Sequence, residues 1–402
     1  MLRFCASWAP TRADPNPRNI TTVPAPSLDA IHDALARVED PEIHRPLPDL
    51  GMVKSVVADS TGKITIGVWL TVSGCPMRDT IESRVRTEVS KVSGVTSVVV
   101  ELDVMSDEQR KELRTTLRGH DEREIVFTKP GSLTRIYAIA SGKGGVGKSS
   151  ITVNLAVSMA ASGLAVGLVD ADIYGHSIPR MIGATAAPTM VEGMIMPPQA
   201  HGVRVISMLP FKPGGVTQPV AFRGPMLHRA LNQFLADVWW GDLDVLLLDL
   251  PPGTGDVAIS LAQLVPHAEL IVVTTPQQAA AEVAIRAGMM ATQTSQKVAG
   301  VIENMSAFSC PHCGEPIELF GSGGGRVVVD TLSKELGVDI PMFGRIPFDP
   351  QLREGGDSGS PLVVSHPDAP AARVLTDIAT ALNSRTRSLA GIQLGITPAG
   401  RT

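Results

Sequence analysis

Ser141-Gly142-Lys143-Gly144-Gly145-Val146-Gly147-Lys148-Ser149-Ser150 lies between an apolar run, Ile136 to Ala140, and a helical pattern that begins near Ile151. Strand, glycine-rich turn and helix in that order are the setting of a phosphate-binding loop, and the stretch satisfies G-x-x-x-x-G-K-[ST]. Each part has a chemical task. Gly142, Gly144, Gly145 and Gly147, with Val146 among them, let backbone N–H groups curl round phosphate oxygens, and Lys148 reaches the outer oxygens. Ser149 supplies a hydroxyl ligand for Mg²⁺. Ser150 leads into the helix, whose positive end favours the phosphate charge.

Working outward, strand and helix patterns alternate. Ala165 to Val169 ending in Asp170, Val203 to Met208, Val245 to Asp249, Leu270 to Thr274, Val298 to Ile302 and Pro341 to Ile346 read as strands, with helical patterns between most of them. This predicts an α/β fold over residues 131–385, a P-loop NTPase with a mostly parallel, doubly wound sheet covered on both faces. A small α/β domain is predicted ahead of it, over residues 26–105. Ser27 caps a helix carrying Leu28, Ile31, Leu35 and Val38; Met52 to Val57 and Lys63 to Thr71 are strands; Ile81, Val85, Val89 and Val92 mark a second helix; and Ser97 to Val104 is a third strand. Residues 106–130 read as a charged linker, in part helical. Residues 1–25 and 386–402 lack apolar periodicity and are expected to be tails, the first disordered.

The chain has 402 residues, 44% hydrophobic and 19% charged, enough for a large core and two domains. A formal charge of -5 gives no general attraction to nucleic acid or to an anionic membrane. Four cysteines, Cys5, Cys75, Cys310 and Cys313, are too few for a disulfide scaffold and point to a reducing compartment. No apolar run approaches a membrane span, and the start has no long apolar segment of the secretory kind. A cytoplasmic protein is expected, with neither nucleic acid nor membrane as partner.

Lys143, directly after the first glycine, has no place in a simple phosphate loop, and here the sequence resembles the deviant P-loop ATPases that include the partition and septum-positioning ATPases. The resemblance implies that Lys143 reaches the nucleotide of a second subunit, so that ATP clamps a homodimer. Asp170-Ala171-Asp172 follows a strand and so emerges at the carboxyl edge of the sheet, where ligands bind; the resemblance places Asp172 near the attacking water. Asp249, ending the strand from Val245 and followed by Leu250-Pro251-Pro252-Gly253, looks like the residue that holds Mg²⁺ through water, while Asp256 reads as a cap on the next helix. Asn304 of Glu303-Asn304-Met305 stands where the class contacts adenine.

Cys310-Pro311-His312-Cys313 places two thiolates where one soft metal can bind both. Two chains would complete a four-sulfur site; a zinc site that recruits His312 is the alternative the pair leaves open. Cys75 lies just ahead of a helix whose positive end favours a thiolate, and Asp40-Pro41-Glu42, Asp49-Leu50-Gly51-Met52-Val53 and Thr71-Val72-Ser73-Gly74-Cys75-Pro76-Met77 resemble the small domain of iron-sulfur assembly factors. Together with the phosphate loop, Asp170 to Gly175, Asp249 to Asp256 and Glu303 to Ser306, the cysteine pair makes the chain similar to the Mrp/ApbC iron-sulfur carrier ATPases, from residue 26 to about 385. That resemblance implies a homodimer that binds ATP and Mg²⁺, hydrolyses ATP slowly, holds a bridging 4Fe-4S cluster on Cys310 and Cys313, and passes it to apoproteins. The alternative is a MinD/ParA-like spatial-positioning ATPase acting on DNA or membrane, which gives Cys310 and Cys313 no task.

Overall fold

The computed structural model describes residues 26–71, 77–118, 124–129, 131–172, 175, 177–208, 224–310 and 312–385. The expected tails at 1–25 and 386–402, and Cys75, lie outside the described residues. The chain divides into two compact units, residues 1–113 and 114–402.

The smaller unit runs α1 (Leu28–Leu35), β1 (Val53–Ala58), β2 (Lys63–Leu70), α2 (Arg78–Val89), β3 (Ser97–Val104), with α3 (Asp107–Arg118) leading out of it. Its sheet has the order β1-β2-β3, the first pair antiparallel and the second parallel. Alternation along β2 buries Ile64, Ile66, Val68 and Leu70, and the helical faces Ile31/Leu35 and Ile81/Val85/Val89 are buried with them. Ser27 stands at the cap position of α1, but its side chain makes no capping bond; its carbonyl takes Ile31 N at 3.1 Å instead. Much of the charged stretch read as a linker is the helix α3. A reciprocal cap starts it: Gln109 N donates to Ser106 Oγ at 3.2 Å and Ser106 N to Gln109 Oε1 at 2.8 Å. Such a pair satisfies two N–H groups that a helix start otherwise leaves open.

The larger unit begins with β4 (Arg135–Ser141), α4 (Lys148–Ala161), β5 (Val166–Asp170) and α5 (Ile178–Ile182). Four short strands follow, β6 (Thr189–Val191), β7 (Met194–Met196), β8 (Gln199–Ala200) and β9 (Val203–Ser207). Then come α6 (Gly224–Ala236), β10 (Val245–Asp249), α7 (Asp256–Leu264), β11 (Glu269–Thr274), α8 (Gln278–Thr294) and β12 (Lys297–Asn304). The unit closes with β13 (Phe308–Ser309), β14 (Pro316–Ile317), α9 (Gly324–Leu336), β15 (Met342–Ile346), α10 (Pro350–Ser358), α11 (Leu362–Ser365) and α12 (Pro370–Ser384).

The main sheet has the order β15-β12-β11-β4-β10-β5-β9-β8, parallel throughout except for β8 against β9. Successive residues of one strand serve opposite faces. On β10, Val245 and Leu247 join the core with Ile151 and Leu155 of α4 and Leu375 and Ile378 of α12. Leu246 and Leu248 join the other core, with Leu231 and Phe234 of α6 and Leu261 of α7. This is the doubly wound sheet expected from the alternation. The hairpins β6–β7 and β13–β14 are too short to leave a period-two pattern in the sequence. Among the described residues no helix is long and apolar enough to cross a membrane.

Candidate functional site

Parallel pairing puts the carboxyl ends of β4, β10 and β5 side by side, with Asp249 directly opposite Asp170 in the ladder. Asp249 continues the parity of Val245 and Leu247, so its carboxylate falls on the α4 side of the sheet. There Ser149 Oγ donates to Asp249 Oδ2 at 2.6 Å and Thr152 Oγ1 to Asp249 Oδ1 at 2.9 Å. Lys148 Nζ pairs with Asp249 Oδ1 at 2.8 Å as an ion contact, with no aligned hydrogen-bond acceptor among the described residues. Both charges are buried, and each neutralises the other.

The glycines of the loop have specific work. Gly147 caps α4 at φ +83°, a left-handed conformation that side chains disfavour, and a Cβ there would collide with Asn304 Nδ2. A Cβ on Gly142 would meet the backbone of Val283 and Ala284 in α8. Helix α4 starts at Lys148, three residues before the apolar pattern near Ile151, because the loop's lysine and serine occupy its first turn. The Pro251-Pro252-Gly253 segment is tied back through Gly253 N, which donates to Ser141 O at 2.8 Å.

Two adjoining cavities open on this edge. One of about 270 Å³ is lined by the phosphate loop from Lys143 to Ser150, with Asp172 and Pro252. The other, about 660 Å³, shares Gly145, Gly147 and Ser150 and extends over Asn304, Met305 and Phe348. A polar, loop-lined pocket beside a larger, more apolar one suits a phosphate tail joined to a flat heterocycle.

The other expected residues fall as follows. Lys143 lines the smaller cavity, its Nζ donating to Gln277 Oε1 at 2.9 Å. Asp172 lines it too, and its Oδ1 accepts Gly175 N at 2.9 Å. Asn304 is buried at the end of β12 and donates from Nδ2 to Val146 O at 2.9 Å, bracing the phosphate loop from the side of the larger cavity. Asp256 is the first residue of α7 rather than its cap; Gly255 holds the cap position, which leaves the carboxylate to act on the helix dipole alone.

The Asp170 carboxyl, at the end of β5, is perturbed in a way that the strand-end reading does not single out. It is buried, Oδ2 accepts from Ser207 Oγ at 3.2 Å and Ile178 N at 3.3 Å, and Oδ1 has no hydrogen-bond partner among the described residues. Burial, and then the charge of Asp249, push its carboxyl well above the usual range. Thr152 and Gln277 were also missed. A strand-end position marks Asp170 in the sequence, whereas only folding brings Asp249 to Thr152, 97 residues away, and Gln277 to the loop.

Cys310 and Cys313 lie elsewhere in the same unit, at the end of the β13–β14 hairpin. Cys310 N donates to Glu315 O and Gly314 N to Cys310 O, both at 2.9 Å, closing a tight loop round the pair. Cys310 is half-buried and Cys313 exposed, and both are free thiols. The backbone N–H of Cys313, then that of His312, then the Cys313 thiol hold the Cys310 thiol below its ordinary range. A thiol so stabilised as thiolate suits a soft metal.

Residues 132–383 match the family described as NUBPL iron-transfer P-loop NTPase, and residues 28–101 match that described as iron-sulfur cluster assembly protein. An iron-sulfur cluster carrier protein of Mycobacterium tuberculosis is 59% identical over 374 residues, covering 92% of this chain and 97% of that one. One of Deinococcus radiodurans is 42% identical, covering 88% of this chain and 94% of the relative. Among solved structures, a nucleotide-binding protein of Archaeoglobus fulgidus in complex with ADP is 34% identical, with a TM-score of 0.47 over 59% of this chain and 90% of that one.

Proposed function

We propose, because this chain belongs to the NUBPL iron-transfer P-loop NTPase family, that it is an ATP-dependent carrier of iron-sulfur clusters. In this reading two copies form a homodimer, and their Cys310/Cys313 pairs hold one 4Fe-4S cluster as cargo for apoproteins. The observation that carries it is the exposed cysteine hairpin, with a thiol already biased toward thiolate, in the same unit as the phosphate loop. Four thiolates suit a 4Fe-4S cluster, and one hairpin has two. Exposed Ile317 and Leu319 beside the pair add apolar surface for a second copy.

At the nucleotide edge the reaction is phosphoryl transfer to water. Lys148 leaves Asp249 for the outer phosphate oxygens. The Ser149 hydroxyl and, through water, Asp249 would hold Mg²⁺, which neutralises phosphate charge; the carboxylate and hydroxyl already stand together, which fits that role. Asp172 orients the attacking water. Lys143 exchanges Gln277 for the nucleotide of the second copy, and Asn304, with its Nδ2 kept by Val146, turns its carbonyl oxygen to adenine. Turnover is slow because each cycle waits on dimer assembly and cluster exchange. The protein acts in the cytoplasm, where reducing conditions keep both thiols free.

Anaerobic reconstitution tests this. The expected result is visible absorption, about four irons per two chains, and loss of the cluster in Cys310→Ala or Cys313→Ala with ATP binding kept. Four irons on each isolated monomer, retained in Cys310→Ala, would overturn the bridging site. Stoichiometric zinc without colour would overturn the cargo.

A further inference from the structure

One aromatic ring belongs to both sites. Phe348, two residues beyond β15, lines the larger cavity beside Asn304 and Met305. It also packs against one ring in the cysteine hairpin and one just beyond it. Its ring meets Phe308 edge-on, with centroids 6.0 Å apart and planes at 71°, and Phe320 at 6.2 Å and 59°. Phe308 is in β13, two residues before Cys310, and pairs with Ile317 of β14. The backbone reinforces the link: Ser306 N donates to Ile346 O at 2.9 Å and Phe348 N to Ala307 O at 2.7 Å.

The path from the phosphate loop to the cysteines is therefore short. Asn304 holds Val146 O, and six residues later the chain reaches Cys310. Between them Met305 adopts φ +58°, a left-handed conformation unusual for a side chain of its kind, and it faces the cavity. Glu303, on the other side of Asn304, accepts Gly325 N at 2.7 Å, tying the helix after the hairpin to the same strand end. The hairpin itself has only two paired positions, too few to be ordered without support. Its support is Phe348, which is half-buried and borders the cavity.

From this arrangement we propose that the aromatic contact of Phe348 with Phe308 and Phe320 couples the two sites. Nucleotide in the cavity raises the affinity of the Cys310/Cys313 pair for metal, and metal raises the affinity for nucleotide by the same factor. A base in the cavity removes one side of Phe348 from water and restricts the ring to the position that supports Phe308 and Phe320. The ordering of the hairpin is then already met when the metal arrives. Phe308 and Phe320 are positioning residues in this scheme, acting through Phe348 without lining the cavity. The proposal rests on the reading of the cysteine pair as a metal site.

Cobalt(II) titration of the full-length protein, followed by the thiolate-to-cobalt absorption, tests it with and without a non-hydrolysable ATP analogue and Mg²⁺. In the wild type the nucleotide is expected to tighten cobalt binding about five-fold or more. Phe308→Leu should bring that factor to about one, with nucleotide affinity in the absence of cobalt unchanged, and Phe308→Tyr should restore it. Phe320→Leu makes the same test from the segment that follows the hairpin if Phe308→Leu disrupts the hairpin. A factor of one in the wild type, or an undiminished factor in both leucine variants, overturns the coupling and leaves the metal site standing. Equal cobalt binding by the Cys310→Ser/Cys313→Ser double variant overturns the metal site, and the coupling with it.

Discussion

Lys148, Ser149, Thr152 and Asp249 at the phosphate loop are bonded to one another within 2.9 Å, deep at the edge of the main sheet. Cys310 and Cys313 sit at the tip of a two-pair hairpin, half-buried and exposed. At the first region the fold concentrates charge in a low-dielectric place, where Lys148 and Asp249 neutralise each other and the hydroxyls of Ser149 and Thr152 bond the carboxylate. Removing any of those groups disturbs folding as well as chemistry. At the second region the backbone makes a loop and little else depends on the thiols. Such a site takes its order from what binds it. Stability measurements on the nucleotide-free, metal-free protein can therefore separate the two plans.

The largest effect is expected from Lys148→Ala. It leaves the Asp249 carboxylate buried beside Asp170 without a cation, at a cost of roughly 3–5 kcal/mol, and it removes ATP turnover. Denaturant unfolding together with phosphate release measures both; normal turnover in this variant would break the assignment of the phosphate loop. Asn304→Ala comes next. Losing the bond to Val146 O leaves a buried carbonyl unpaired and should cost about 1–3 kcal/mol, with weaker nucleotide binding by calorimetry. An unchanged nucleotide affinity would show that the loop holds its shape without the brace.

Asp170→Asn should move the other way. A carboxyl whose folded pKa is raised favours the folded state while protonated; that contribution is complete below the unfolded value and is lost as pH rises through the folded one. The asparagine amide keeps an acceptor for Ser207 and Ile178 without the charge, and is expected to stabilise the nucleotide-free protein at neutral pH by about 1–2 kcal/mol. Melting temperatures should diverge from the wild type as pH rises above the ordinary carboxylate range and converge below it. A constant difference across pH would remove Asp170 as the source. Smallest of all is Cys310→Ser with Cys313→Ser, expected within about 0.5 kcal/mol of wild type while abolishing metal binding. A large loss of stability there would mean that the hairpin thiols are structural.

Local signals carried most of the architecture. The strand from Val245 to Asp249 occupies the residues read from its apolar run, because a strand buried on both faces leaves an unbroken record of itself. Helix α3 has a reciprocal cap at Ser106 and Gln109 but few large apolar residues, so its sequence carries little apolar periodicity. The hairpins β6–β7 and β13–β14 leave two or three residues per strand, below what any period can register.

By itself the amino-acid sequence determined the doubly wound fold, the phosphate loop, the strand-end carboxylates and the cysteine pair, since each is a matter of residue types at short spacing. Tertiary structure decided which of these groups meet. Thr152 and Lys148 converge on Asp249 from about one hundred residues away in the chain, and Asp170 becomes a perturbed carboxyl because it is buried and parallel pairing sets it beside Asp249. Phe348 faces the nucleotide cavity and the cysteine hairpin at once for the same reason. Contacts between distant segments depend on strand order and register, and burial depends on what the whole sheet covers, so neither can be written in the spacing of one stretch.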